Sequence, residues 1–309
     1  MIIHKQTIEP GEHKIIRIMV GRLPSSTRID LYVHVFRSKN PGPTVLLMGG
    51  VHGDEINGVE IVRRFVAGGF GSKLLAGSVI AIPVLNVYGF NNFSRDVPDG
   101  KDVNRSFPGS SRGSLASRVA HLFTKNILPL IDFGIDFHTG GSDNYNYPQI
   151  RFTQGDERSE QLARIFAAPF TISTRTIPKS LRKISMDAGK PIIVFEGGQN
   201  LRFDGFCIEK GLIGIQRVLA NHHMIPTAPE KEATVYLENR SWLRAKKSGM
   251  FIWRKRSGNK VCKGEPLGVI HDPYGQEEFN VLAPRDGYII GHNNAPVVGI
   301  GDALFHIAS

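Results

Sequence analysis

Cysteine is scarce in this chain: Cys207 and Cys262 are the only two in 309 residues. That excludes a disulfide framework and leaves two reduced, non-catalytic thiols, the usage of a cytoplasmic protein. Long apolar runs are missing as well. No stretch reaches membrane length, and the opening Met1-Ile2-Ile3-His4-Lys5-Gln6 lacks the apolar centre of a signal peptide, so a soluble cytoplasmic chain with no membrane partner is expected. Acidic residues are in the minority, 28 against 38 lysines and arginines, which gives a net charge of +10. The basic residues are dispersed, however, and the only dense clusters, Arg244-Ala245-Lys246-Lys247 and Arg254-Lys255-Arg256, flank apolar strand residues. They read as solvated edge charges, so no nucleic-acid partner is expected, while a basic surface would draw in a small anionic substrate.

What is present is ample core material. With 41% hydrophobic residues and 34 glycines, the length suits one large core plus a small appendage, divided as residues 1–227 and 228–309. Four short segments carry the chemistry: Gly49-Gly50-Val51-His52-Gly53-Asp54-Glu55, Asp102-Val103-Asn104-Arg105, Asp136-Phe137-His138 and Phe195-Glu196-Gly197-Gly198. Pro43 to Met48 reads as a buried strand stopped by glycines, and Glu55 to Ala67, apolar at Ile56, Val59, Ile61, Val62, Phe65 and Val66, reads as the helix after it. His52 and Glu55 therefore fall three residues apart on a strand-to-helix turn, where both can grip one ion. Gly49, Gly50 and Gly53 are expected to let the backbone crowd close to that ion.

His138 closes a second apolar run, 131–138, and Glu196 a third, 191–195. Ligands in open α/β sheets bind beyond the carboxyl ends of the strands, where all three of these segments finish. His52, Glu55 and His138 supply two imidazoles and a carboxylate, the ligand set of a catalytic zinc with one position left for water. Glu196 supplies a further carboxylate to act as base, and the whole describes hydrolysis of an amide or ester. Singly, His138 reads as a hydrogen-bonded strand-end histidine and Glu196 as an acid at a helix N-terminus. Jointly, buried ionisable groups at three strand ends call for pairing or a metal.

In this ordered combination the chain resembles the succinylglutamate desuccinylase/aspartoacylase family, relatives of the zinc carboxypeptidases, over roughly its first two-thirds. The resemblance implies a mixed central α/β sheet with helices on both faces. It implies one zinc per chain, held by His52, Glu55 and His138, with Glu196 as general base. It further implies that Asn104 and Arg105 bind a substrate carboxylate, that Asp102 orients His52, and that Arg95 polarises the scissile carbonyl. Between Arg95 and Asp102 the stretch Asp96-Val97-Pro98-Asp99-Gly100-Lys101 is longer than in aspartoacylase itself, which argues for the broader group of deacylases.

From about Ala228 the pattern turns to short strands with glycine turns. Gly249-Met250-Phe251-Ile252 with Gly264 to Ile270 is echoed by Gly287-Tyr288-Ile289-Ile290 with Gly301 to Ile307. This doubled hairpin resembles the all-β barrel-sandwich fold of biotinyl and lipoyl carriers, but the hairpin His271-Asp272-Pro273-Tyr274-Gly275 has no lysine, so a carrier role is not expected. The domain is expected to shield the zinc cleft, the alternative being that it mediates contacts in a homo-oligomer. At the other end of the chain, the alternation Tyr32-Val33-His34-Val35-Phe36 predicts edge strands on the catalytic sheet. Of the remaining histidines, His121 reads as a helix residue and His222-His223 as a helix C-terminus.

Tyr145, Tyr147 and Arg151 follow His138 closely and are expected to form aromatic walls and a carboxylate contact for an acylated amino acid. Two other readings share the ligands: a metallocarboxypeptidase, which needs an open groove for a peptide, and a non-catalytic zinc-binding protein, which needs no base. Glu196 at a strand end with glycines beside it speaks against the latter.

Overall fold

The computed structural model describes residues 1–309. Its centre is a mixed sheet. From one edge to the other, the strands are Arg240–Arg244, Ala303–Ala308, Gly287–Asn293, Asn144–Thr153, Ile192–Gln199, Phe133–Gly140, Thr44–Met48, Ser78–Ile82, Arg28–Arg37 and His13–Arg22. Ile192–Gln199, Phe133–Gly140, Thr44–Met48 and Ser78–Ile82 run parallel, and the N-terminal pair closes that side as an antiparallel hairpin. Every residue of Thr44–Met48 and of Ser78–Ile82 is buried, which is why these strands read as continuous apolar runs and not as alternation.

Helices cover both faces, as expected. They are α1 (Ile56–Ala67), α2 (Val87–Asn91), α3 (Leu115–Asn126), α4 (Glu157–Phe166), α5 (Leu181–Asp187) and α6 (Gly205–Asn221). Alternate residues of one strand serve opposite cores: Leu46 and Met48 join Val119, Ala120 and Phe123 of α3. Val45 and Leu47 join Ile61, Val62 and Phe65 of α1 together with Leu162 of α4 and Ile215 of α6. Side chains at α3, α4, α5 and α6 N-termini cap them: Ser114, Asp156, Ser180 and Asp204 each accept a bond from a backbone N–H of the first turn. Glu55 at the start of α1 makes no such cap, because its carboxylate is committed elsewhere.

Asn144–Thr153 is a forked strand. On one side its middle, Asn146 to Arg151, pairs with Ile192–Gln199; on the other, Asn144 to Asn146 pair with Gly287–Asn293, whereas Gln149 to Thr153 pair with Phe170–Thr174. The change of partner falls at Tyr147-Pro148, where the register against Ile192–Gln199 also slips by one residue. Proline has no N–H to give to a ladder, so it sits where the ladder breaks. One consequence is that the C-terminal strands are hydrogen-bonded directly onto the central sheet. The boundary drawn at 227/228 likewise precedes a strand, Val235–Leu237, that pairs with Phe170–Thr174.

The C-terminal repeat is structural. Gly249–Trp253 pairs antiparallel with Pro266–His271 as Gly287–Asn293 pairs with Ala303–Ala308, and Gly249 and Gly287 both have φ near 155° (156° and 155°). A Cβ would lie 2.3 Å from His271 O in the first case and 2.4 Å from Ala308 O in the second, so each repeat starts with a glycine for the same reason. Cys207 is buried on α6, and Cys262 is exposed beyond the short strand Lys260–Val261.

The glycines of the first motif do a different job from the one expected. Gly49 and Gly53 do not make room for an ion; they let backbone pack on backbone. A Cβ on Gly49 would lie 2.6 Å from Gly58 C in α1, and one on Gly53 would lie 2.0 Å from Gly89 C and Phe90 N in α2. Gly53→Ala should therefore destabilise the fold by about 1–3 kcal/mol through overpacking and displace His52 next to it. A lowered denaturation midpoint with reduced metal content checks this; a midpoint and metal content equal to wild type would contradict it.

Candidate metal and catalytic centre

Four of the side chains arise from local chain geometry. His52 and Glu55 lie on the loop between Thr44–Met48 and α1, both buried. Asp136 and His138 are two apart on Phe133–Gly140 and so project from the same face. In the adjoining parallel strand Glu196 is the register partner of His138 and Val194 that of Asp136, which puts the Glu196 side chain beside His138 on that face. Arg151 is paired with Val194 and Asn146 with Gly198, and the register slip at Tyr147-Pro148 is what brings both onto it.

His52, Glu55 and His138 converge: one ligand atom from each lies within 4.8 Å of the others. Glu55 Oε1 is 2.7 Å from His52 Nδ1, and Glu55 Oε2 is 2.8 Å from His138 Nδ1 and accepts from Thr139 N at 3.0 Å. The two Nδ1 atoms face each other at 3.2 Å. Two imidazole nitrogens this close, sharing one carboxylate, need either protons or a cation between them. Each ring turns its other nitrogen to an acid: His138 Nε2 is 2.8 Å from Asp136 Oδ2, and His52 Nε2 is 3.4 Å from Asp102 Oδ1. This is the arrangement that fixes tautomer and ring orientation in metal-bound histidines, so the donor set fits a divalent metal.

The charges are strongly coupled. Burial by itself would lower His138, but Asp136 and Glu55 raise its pKa well above the usual imidazole value; burial likewise opposes, and Glu55 and Asp102 outweigh it, in raising His52. Burial would raise the Glu55 pKa, yet His52 and His138 hold it well below the carboxylate range. Without metal, the cluster thus favours protons on the imidazoles over a proton on Glu55. A metal has to displace those protons.

Arg95 lies over this cluster. Its Nη1 is 3.2 Å from both His52 Nδ1 and Glu55 Oε1, and its Nη2 donates to Asp102 Oδ2 at 2.9 Å. Asp102 also caps the turn that carries Asn104 and Arg105, accepting from Asn104 N at 2.6 Å. Asn104 Oδ1 accepts from Leu181 N at 2.9 Å, which leaves its NH2 as the free donor, and the Arg105 guanidinium is half-exposed at the cleft.

The cleft has a volume of about 510 Å³, and Ile177, Val194 and Trp242 are its only hydrophobic side chains. Tyr145 and Tyr147 do not line it. Tyr145 OH lies 3.6 Å from Cys207 Sγ, and Tyr147 packs on Phe170 and Phe206, so the expected aromatic walls lie on the other side of the strand. Arg151 does line the cleft but already has a partner: its Nη1 is 2.8 Å from Glu196 Oε1, while Asn146 Nδ2 donates to Glu196 Oε2 at 2.9 Å. Arg151 is therefore first the counter-charge of Glu196. The sequence reading assigned no role to Asp136, Asn146, Arg182, Arg240, Trp242 or His306, all in the cleft wall. Only Asp136 had a local signal, its two-residue spacing from His138 on a strand.

The model of the family described as succinylglutamate desuccinylase/aspartoacylase catalytic domain matches residues 41–222. An N-alpha-acetyl-L-2,4-diaminobutyric acid deacetylase of Halomonas elongata is 26% identical over 96% of this chain and 91% of its own length. A succinylglutamate desuccinylase/aspartoacylase from Rhodobacter sphaeroides, solved by crystallography, superposes with a TM-score of 0.85 at 26% identity, over 96% of this chain and 95% of that one. The product-bound ectoine utilization protein EutE (DoeB) from Ruegeria pomeroyi has the same fold, with a TM-score of 0.85 at 23% identity over 96% and 94% of the two chains.

Asp136→Asn should weaken metal binding about 10–100-fold by loosening His138, as equilibrium dialysis against a competing chelator would show. Unchanged affinity would remove Asp136 from the centre. Because both imidazole pKa values are raised, protons compete better as the pH falls. Affinity should decline as the pH falls toward the ordinary imidazole range, with the loss beginning above that range, and a flat profile would contradict the raised imidazole pKa values.

Proposed function

This chain belongs to the succinylglutamate desuccinylase/aspartoacylase family, and from that membership we propose that it is a zinc-dependent deacylase that hydrolyses the amide bond of an N-acylated amino acid or a similar small carboxylate. The observation that carries the reading is the placement of Glu196. It is the register partner of His138, buried and facing the cleft, and it has no part in the ligand cluster. A protein that merely stored or bound a metal would have no use for a further buried carboxylate beside the ligands. Two nitrogens and one oxygen suit zinc among the divalent ions. The Halomonas relative, a deacetylase acting on an N-acetylated amino acid by its name, supports the same reaction class.

When bound, zinc supplies Lewis acidity, which makes a water nucleophilic at neutral pH and polarises the scissile carbonyl. The residues divide the remaining work. Glu196, oriented by Arg151 and Asn146, takes the proton of the attacking water and passes it to the departing nitrogen. Arg95 directs a guanidinium toward the ligand cluster, where the carbonyl oxygen gains negative charge. The free NH2 of Asn104 and the half-exposed guanidinium of Arg105 supply donors for a substrate carboxylate.

The size and walls of the cleft favour a small substrate over a peptide. Arg240, Ser241, Trp242 and His306 of the C-terminal region form part of its wall, which supports a shielding role for that region and leaves less room for a long chain. The zinc-loaded protein should release amine from N-acyl amino acids and leave peptides intact; turnover of peptides alone would reverse the assignment to a carboxypeptidase. Glu196→Gln should lower kcat by about 10²–10⁴ while metal content stays at wild-type level. A variant that kept full activity would remove Glu196 from the mechanism.

A further inference from the structure

Asn57 is fully buried, yet it belongs neither to the ligand cluster nor to the cleft wall. It stands two residues beyond Glu55, in the first turn of α1. Both ends of its amide are spent on main chain 140 and 147 residues further along: Nδ2 donates to Gly197 O at 3.1 Å, and Oδ1 accepts from Asp204 N at 3.0 Å. A carbonyl can only accept and a backbone N–H can only donate, so the two partners hold the amide in a single orientation. A polar side chain buried this completely is stable only while both bonds are made.

What the amide holds is the chain immediately after Glu196. The ladders on both sides lose register there, against Phe133–Gly140 between Glu196 and Gln199 and against Asn144–Thr153 between Glu196 and Gly198. Regular pairing therefore does not fix the backbone just past this carboxylate. Gly198 has φ +84°, and a Cβ on it would lie 2.2 Å from Asn57 Nδ2, so the chain closes onto the amide with no room for a side chain. Farther along, Asn200 Nδ2 donates to Asp54 Oδ2 at 2.9 Å and Leu201 N to Asp54 O at 2.8 Å. The segment that follows Glu196 is thus tied to the chain on either side of Glu55, and Asn57 is the tie nearest to Glu196. Arg151 and Asn146 orient the carboxylate from the opposite strand, but neither bonds to the loop that carries His52 and Glu55.

We propose that Asn57 is a positioning residue for Glu196: through the Gly197 carbonyl it sets the spacing between that carboxylate and the ligand cluster, and Gly198 is glycine so that the amide can do so. The proposal rests on the deacylase reading, in which Glu196 takes a proton from a water attacking beside the cluster. A misplacement of about 1 Å between such a base and its partner costs on the order of 100-fold in rate. Because Asn57 lines neither the cleft nor the cluster, its loss acts on the rate and spares the binding of metal and substrate. A purely structural amide, fastening α1 to the start of α6, would instead lower stability and leave the kinetics of the folded protein unaltered.

The test compares the zinc-loaded full chain with Asn57→Ala and with the milder Asn57→Ser, whose shorter side chain cannot hold both backbone groups, on N-acetyl amino acids that include N-alpha-acetyl-L-2,4-diaminobutyrate. Below all three denaturation midpoints, kcat should fall about 10–100-fold while KM and zinc affinity stay within about twofold of wild type. Gly198→Ala should reproduce the loss, and in the Asn57→Ala background it should cost less than it does alone, because the clash with Nδ2 is gone. Undiminished kcat in the folded Asn57 variants, or a loss of rate that only tracks a loss of zinc, would overturn the proposal. Crystal structures supply a reading that needs no turnover: in zinc-loaded Asn57→Ala the Glu196 carboxylate should move by about 0.5 Å or more relative to the His52, Glu55 and His138 side chains. An unmoved carboxylate overturns the positioning role and leaves the deacylase standing. A displaced carboxylate in a protein whose wild type hydrolyses none of the substrates sinks the deacylase and leaves Asn57 as what holds Glu196 in place.

Discussion

The Glu55 carboxylate is the point on which the site is built. Buried where the loop enters α1, it faces His52 and His138 across less than 3 Å each, accepts from Thr139 N, and lies beside Arg95. An ionised carboxylate is costly to bury without partners, and here the partners come from a loop, a strand and a distant turn. Each is supported in turn by an acid: Asp136 behind His138, Asp102 behind His52 and Arg95. Removing Glu55 would leave two imidazoles and a guanidinium facing one another with nothing between them. The same convergence offers a cation its donors and leaves the remaining carboxylate, Glu196, outside the cluster.

The second constraint is the fork at Tyr147-Pro148. It hands the sheet from the catalytic strands to the C-terminal ones and shifts the alternation of Asn144–Thr153 so that Asn146 and Arg151 both face Glu196. The setting of the Glu196 carboxylate and the C-terminal wall of the cleft therefore depend on one irregularity. Through the paired strands beyond it, Arg240, Trp242 and His306 arrive opposite the arginines of the first region. The cleft that results is mostly polar.

Much of this was legible along the chain. Buried parallel strands announce themselves as short apolar runs between glycines, and an acid or imidazole at the end of such a run has few structural uses, so His52, Glu55, His138 and Glu196 stood out. The C-terminal repeat was equally plain, because Gly249 and Gly287 answer the same steric demand. Tyr145 and Tyr147 were misplaced because closeness to His138 along the chain does not fix which face of a strand a side chain takes, and that face depends on a register set by pairing with a neighbouring strand. Arg151 was taken for a substrate ligand because its partner, Glu196, is distant in sequence and adjacent only across the ladder.

The sequence by itself determined the strand ends, the ligand types and the family, since these rest on local periodicity and on short motifs whose spacing is covalent. Only the tertiary structure decided which charges are already paired. Arg151 has its carboxylate and Arg182 and Arg240 have none, and that difference depends on side chains brought together from separate strands and a helix, over distances that chain order does not encode.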